Sequence, residues 1–192
     1  MSRVPKLLAF AGSTRLNSFN KKLVRIAADG AREAGAEVTI LDLKDYPLPL
    51  FDEDLEASAG LPANVRTLKQ VFIQHDGFVV ASPEYNSSIT AVLKNTIDWV
   101  SRPMPGESPM AAFRGKVASL ISASPGALGG LRGLVHLRSI LGNIGVIVLP
   151  DQVAVPLARE AFGDDGMLKD ARQQQSVRQI GRTLAETAGK LL

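Results

Sequence analysis

The sequence predicts a doubly wound α/β sandwich built on a parallel sheet. Three observations predict it. Short apolar runs recur along the 192 residues and alternate with longer amphipathic stretches. Most runs are continuously apolar, as expected of strands buried on both faces. The stretches between them repeat apolar residues every three or four positions, so each would lay one helix face on a sheet. Strands alternating with helices in this way give a sheet covered on both sides.

The elements follow in order. Strands are predicted at 7–11, 38–43, 77–81, 117–122 and 146–149. The first helix carries Leu23, Ile26, Ala27, Ala31 and Ala34 on one stripe, and the second carries Val65, Leu68, Val71 and Phe72. The third has the clearest period, with Ile89, Val92, Leu93, Ile97 and Val100. Leu134, Leu137 and Leu141 mark the fourth, and Val177, Ile180, Leu184, Ala188 and Leu191 the fifth. No linker, repeat or low-complexity tract divides the chain, so 1–192 reads as a single domain. The main irregular segment is 44–62, with Pro47, Pro49 and Pro62. It reads either as a surface crossover or as a subunit contact or site wall, because Tyr46, Leu48, Leu50 and Phe51 are unusually apolar for a solvated loop.

Composition removes several classes of function. Lys plus Arg number 22 and Asp plus Glu 19, giving a formal charge of +3. That small excess, without a clustered basic face, argues against nucleic acid as a partner. Zero cysteines exclude disulfides, zinc–thiolate sites, iron–sulfur clusters and thiol nucleophiles. No apolar run approaches the roughly 20 residues of a membrane span, and no secretory signal is read, so a cytoplasmic location is expected.

Three strand-to-helix loops carry the chemistry. The first is Gly12-Ser-Thr-Arg-Leu-Asn-Ser-Phe-Asn20. It offers hydroxyls, amides and the Arg15 guanidinium at a helix N-terminus, where free N–H groups and the helix dipole favour an anion. Gly12 would allow a tight turn. Plain N-capping by Asn17 or Ser18 is the alternative. The loop is neither a Gly-Lys-Ser/Thr phosphate loop nor a Gly-x-Gly-x-x-Gly dinucleotide fingerprint.

The second loop is Ser82-Pro-Glu-Tyr-Asn-Ser-Ser88. Pro83 stiffens the strand exit, Tyr85 supplies a flat ring, and Asn86 and Ser87 supply hydrogen bonds. A planar cofactor needs such a surface and such polar edges. Here too the bland alternative is a helix cap with Tyr85 on the surface. The third loop, 121–130, combines Ser124 with Gly126, Gly129 and Gly130, so its backbone could approach a ring closely, or it is an ordinary glycine-rich turn.

Other candidates read as structural. Lys94 and Asp98 form an (i, i+4) pair, and Trp99 suits the core or a subunit interface. His75 and His136 lack metal-ligand partners nearby in sequence. Asp164-Asp165-Gly166 lacks the remaining spacing of a calcium loop.

Two stretches together carry a family resemblance. Gly-Ser-x-Arg-x-x-Ser-x-Asn over 12–20 and Pro-Glu-Tyr-Asn-x-Ser…Leu-Lys-Asn-x-Ile-Asp-Trp-x-Ser-Arg over 83–102 resemble the NAD(P)H-dependent FMN reductase family. That family includes bacterial quinone and chromate reductases and related azoreductases. The resemblance implies a flavodoxin-like three-layer sandwich with a five-stranded parallel sheet of order 2-1-3-4-5. It implies that Ser13, Arg15, Ser18 and Asn20 hold the FMN phosphate. Pro83, Glu84, Tyr85, Asn86 and Ser87 would line the ribityl chain and the ring. Ser124, Gly126 and Gly129 would lie against its pyrimidine side.

The implied activity is ping-pong hydride transfer from NADPH or NADH through bound FMN. The acceptor would be a small molecule: a quinone, flavin, azo compound or chromate-like oxyanion. No side chain need be catalytic, and no metal is expected. The resemblance also implies a homodimer or homotetramer whose neighbouring subunit helps wall the site, with 44–62 a candidate for that wall. The rival readings are a flavodoxin-like electron carrier and an FMN-binding module without NAD(P)H turnover. Carriers are typically acidic, and this chain is slightly basic.

Overall fold

A computed structural model describes residues 3–192. Five parallel strands form one sheet in the order β2-β1-β3-β4-β5. They are β1 (Lys6–Ala11), β2 (Glu37–Leu41), β3 (Gly77–Ala81), β4 (Val117–Ala123) and β5 (Ile147–Val155). The helices are α1 (Phe19–Glu33), α2 (Glu53–Ala59), α3 (Ala63–Ile73), α4 (Ala91–Val100), α5 (Leu131–Asn143), α6 (Ala158–Ala161) and α7 (Ala171–Leu191). Of these, α2 and α6 are short, and the other five are the helices that periodicity predicts. The predicted fold class and strand order are both present.

The core has two halves because side chains alternate across each strand. Leu7, Ala9 and Ala11 of β1 point with Val79 and Ala81 of β3 towards α1 and α7. Leu8, Phe10, Phe78 and Val80 point the other way, towards α3, α4 and α5. The three central strands are buried almost throughout, whereas β2 and β5 are partly exposed edges.

The structure corrects four boundaries. The second strand stops at Leu41, because Asp42 turns to accept a hydrogen bond from the Lys44 N–H and starts a 3-10 turn over Leu43–Asp45. The fifth strand runs on to Val155 instead of ending at residue 149. Ala118 lies opposite Val148 but Leu120 lies opposite Gln152, so β5 bulges around Pro150 and Asp151 and then resumes pairing. A proline is tolerated there because β5 is an edge strand. The helix predicted from Ile89 begins at Ala91, and its cap is Thr90, outside the 82–88 loop.

The last correction concerns 44–62. This segment contains α2, whose N-cap Asp52 accepts from the N–H groups of Asp54 and Leu55. It is also pinned to α4. Asn95 accepts from the Phe51 N–H at 2.8 Å and donates to the Pro49 carbonyl at 2.8 Å, and the Trp99 indole donates to the same carbonyl. Phe51 meets Trp99 edge-on at 5.0 Å, and Trp99 is fully buried, as expected of a core residue. Leu50 alone among the segment's large apolar side chains is left strongly exposed, at 77%.

Candidate functional site

The sheet order reverses between β1 and β3, and loops leaving the carboxyl ends of strands there diverge to form a crevice. Side chains and backbone tie the three candidate loops together at that point. The Gly12 N–H donates to the Ala81 carbonyl at 2.9 Å, and the Ser82 N–H donates to Ile121 at 2.9 Å. The Thr90 hydroxyl donates to the Gly12 carbonyl at 2.7 Å while accepting from the Leu93 N–H at 3.2 Å. One residue therefore caps α4 and anchors the first loop. Gly12 is needed for close approach and not for a tight turn: a Cβ there would sit 2.9 Å from Leu93.

The resulting cleft is lined by Ser13, Arg15, Ser18, Phe19, Asn20, Pro83, Glu84, Tyr85, Ala123, Ser124 and Pro125. Eight of the twelve predicted site residues are thus brought together. At its polar end, Ser18 occupies the N-cap position of α1 but its side chain makes no capping hydrogen bond. The first turn of α1 carries no acidic residue, so its N–H groups and dipole face the cleft uncompensated. The Ser13 hydroxyl accepts from the Arg15 N–H at 3.3 Å and shapes the loop. The Arg15 guanidinium makes no hydrogen bond or ion pair among the described residues, although the other arginine beside the cleft, Arg132, is paired. This donor set suits a phosphate: hydroxyls, open N–H groups and one uncommitted guanidinium.

Asn20 does something other than expected. It is buried, its amide donates to the Ala123 carbonyl at 2.8 Å, and its carbonyl accepts from the Ala123 N–H at 2.9 Å. Both polar ends of the side chain are occupied, so it joins the first loop to the end of β4 and sets the width of the cleft.

The second loop contains a tight two-residue hairpin. Tyr85 and Ser88 exchange backbone hydrogen bonds of 2.9 and 3.0 Å, and Asn86 and Ser87 both have positive φ, 51° and 65°. That is the geometry of a type I′ turn. It leaves Tyr85 54% exposed. Asn86 and Ser87 form the turn's tip and do not line the cleft.

Glu84 is engaged on every side. One carboxylate oxygen accepts from Arg132 Nε at 3.2 Å and Nη2 at 3.0 Å, and the other accepts from the Gly133 N–H at 3.0 Å. Burial would raise its pKa, but the Gly133 N–H and the Arg132 guanidinium outweigh burial and hold it below the usual glutamate value.

In the third loop Ser124 lines the cleft, and its hydroxyl accepts from the Gly126 N–H at 3.2 Å. Gly126 and Gly129 do not line it. Gly129 has φ 62°, and a Cβ there would lie 2.7 Å from Val155, so it is a packing glycine. Sequence reasoning missed Phe19, Ala123 and Pro125 as lining residues. Phe19 stacks on Phe162 at 5.6 Å, a contact that no local motif announces.

Residues 5–160 match the family described as NADPH-dependent FMN reductase. This chain belongs to that family. Individual members of the FMN reductase family and its neighbours are similar over most of their length. An NAD(P)H-dependent FMN reductase of Pseudomonas aeruginosa is 34% identical over 180 residues, covering 93% of this chain and 92% of its own. A quinone reductase of Escherichia coli K12 is 37% identical over 152 residues, 78% and 76% of the two chains. Among solved structures, the flavoenzyme NAD(P)H:(acceptor) oxidoreductase FerB of Paracoccus denitrificans superposes with a TM-score of 0.81. It is 28% identical over 97% of this chain and 98% of that one. As a member of the FMN reductase family, the chain is an NAD(P)H-dependent oxidoreductase with FMN as cofactor. No helix of the described residues is long and apolar enough to cross a membrane, and no metal-binding group of side chains is found among them.

Proposed function

We propose that this protein is an FMN-dependent NAD(P)H:acceptor oxidoreductase, with NAD(P)H and a quinone-type acceptor using one cleft in turn. The single observation that carries this reading is the cleft itself. A phosphate cradle at the α1 N-terminus and the exposed Tyr85 line one cleft. Bound FMN would supply the hydride chemistry. Arg15, Ser13, Ser18 and the first N–H groups of α1 would hold its phosphate. Pro83, Tyr85, Asn20 and Ser124 would shape the wall beside its ring. Glu84 has no free oxygen to move a proton, so no side chain of the cleft is assigned acid or base work. Asn86, Ser87, Gly126 and Gly129 lie outside that lining and would serve by shaping the loops that carry it.

Quinones lead the acceptor classes because relatives from both bacteria and plants are named quinone reductases. Flavins, azo compounds and chromate-like oxyanions come after. A cytoplasmic setting, where NAD(P)H is generated, suits an enzyme that consumes it. We also assign a homodimer or homotetramer. Leu16, Leu50, Leu128, Leu131 and Leu157 are large exposed apolar side chains on segments that follow strands β1, β2, β4 and β5. Leu16, Leu128, Leu131 and Leu157 belong to the loops and helix start at the cleft end of the sheet, and Leu50 lies beside α4, so a subunit contact there would cover them.

The deciding experiment is steady-state oxidation of NADPH and NADH by FMN-loaded protein with a panel of acceptors. Turnover well above that of free FMN, greatest with a quinone, is expected. Rates no higher than free FMN would leave an electron carrier or a binding module as the better description. Light scattering of the same sample reports the assembly, and a monomer would remove the subunit contact.

A further inference from the structure

We infer that helix α5 acts as a jig for the Tyr85 turn, with Glu84 and Ser88 on the loop and Arg132, Gly133 and His136 on the helix as positioning residues. The inference rests on the reading of the cleft as an FMN site and names what fixes its exposed ring.

The turn needs outside support. Asn86 and Ser87 both sit in the left-handed region, which L residues without special reason avoid. An isolated two-residue hairpin is marginal in water. Here the hairpin consists of the Tyr85–Ser88 pair alone and belongs to none of the sheet's strands. Tyr85 offers no hydrogen bond of its own to lock the ring among the described residues, so the backbone conformation of the turn decides where the ring stands.

Both ends of that turn are gripped by one helix. Before it, Glu84 takes three hydrogen bonds from α5: two from Arg132 and one from the Gly133 N–H. After it, the Ser88 hydroxyl lies 3.0 Å from His136 Nδ1. Arg132 and His136 are four residues apart, one above the other on the same helix face. Between them Gly133 lets the helix come close. A Cβ at Gly133 would lie 3.2 Å from the Ser88 carbonyl and 3.4 Å from Glu84 Cβ. The carboxylate also sits in the first turn of α5, where the dipole favours an anion.

The clamp has a second effect. Helix α5 begins directly after the loop that presents Ser124 and Pro125 to the cleft. Tyr85 is thus held in register with the third loop through a rigid element. The clamp also gives the two arginines near the cleft different roles. Arg132 is committed to Glu84, while Arg15 is uncommitted.

Amide hydrogen exchange of the FMN-free protein tests the clamp directly, alongside FMN affinity by fluorescence quenching and the split of kcat and KM. In the wild type the Tyr85 and Ser88 amides, both hydrogen-bonded, are expected to exchange slowly. Glu84→Ala is expected to speed those two amides and to weaken FMN binding by about tenfold each, the effect of losing a charged hydrogen-bond partner. Core amides such as Val79 and Leu120 keep their rates. Glu84→Gln, which retains an acceptor for the Gly133 N–H, recovers most of both losses. Acceptor KM rises in Glu84→Ala more than kcat falls. Unchanged exchange at Tyr85 and Ser88, or an equal loss over the core strands, would overturn the jig. If Glu84→Ala does not fold, Ser88→Ala and Arg132→Gln are read in the same way, and wild-type exchange at Tyr85 in both overturns it. Wild-type protein that takes up no FMN defeats the functional reading, and the exchange measurement still decides the clamp.

Discussion

Arg15 and Glu84 face the same cleft with opposite charges, and the structure gives them opposite circumstances. Arg15 is exposed and unpaired among the described residues, so a bound phosphate would be its first strong partner. Arg15→Ala should therefore weaken FMN binding by about 1.5–3 kcal/mol, the range for a hydrogen bond to a charged group. Titration of apoprotein with FMN checks it, and an unchanged dissociation constant would show that the guanidinium points elsewhere. Glu84 is already satisfied, and its pKa is lower in the folded protein than in the unfolded chain. A depressed carboxylate stabilises the fold above the unfolded value and loses that contribution as pH falls through the folded one. Wild type should thus exceed Glu84→Gln in thermal stability at neutral pH. The gap should close as the medium is acidified below the ordinary value of 4.5. A gap that stays constant down to acid pH would mean that charge plays no part in the brace.

The first-loop residues could be read from their own chemistry, because hydroxyls and an arginine before a helix define an anion site locally. Asn20 could not be. Its partner, Ala123, lies 103 residues further on, so nothing local separates a phosphate ligand from a clamp.

At the scale of elements, periodicity located all five long helices and all five strands, because each buries a regular stripe or run. What it missed had no such stripe. Helix α2 buries no residue fully, although Asp52 ahead of Glu53 and Asp54 spells an N-cap with an acidic first turn. The second half of β5 was hidden by Pro150. Packing between helices was also invisible in a stripe. Helices α1 and α7 cross so closely that a Cβ at Gly181 would lie 1.8 Å from the Ala27 carbonyl oxygen, and one at Gly30 would lie 2.0 Å from that of Arg178. Alanine is intrinsically the better helix former by about 1 kcal/mol. Here the clash is with backbone and cannot be relieved by a rotamer change, so the helices must separate. Gly181→Ala should destabilise the protein by about 1–3 kcal/mol, as overpacking does. Chemical denaturation measures it, and a stabilised variant would show that the two helices have room to spare.

At the scale of the whole molecule, the kinetics follow from how many places two substrates can occupy. The described residues form one sheet, and its strand order reverses once, between β1 and β3. Ligands of such sheets bind where the order reverses. The three loops at that point are tied to each other by Thr90, Asn20 and the Gly12 and Ser82 N–H groups, so the cleft is a fixed surface and not two halves of a hinge. Neither the first loop nor any other strand exit among the described residues carries a dinucleotide fingerprint that would give NAD(P)H a separate seat. On the reading proposed above, NAD(P)H and acceptor occupy the same face in succession. Initial rates measured against NADPH at several fixed quinone concentrations should give parallel double-reciprocal lines. High quinone should inhibit competitively against NADPH, because each substrate blocks the other's place. Intersecting lines would require both substrates to be bound together, and a second seat would have to be sought, with the proposed subunit contact around Leu16 and Leu157 as the first place to look.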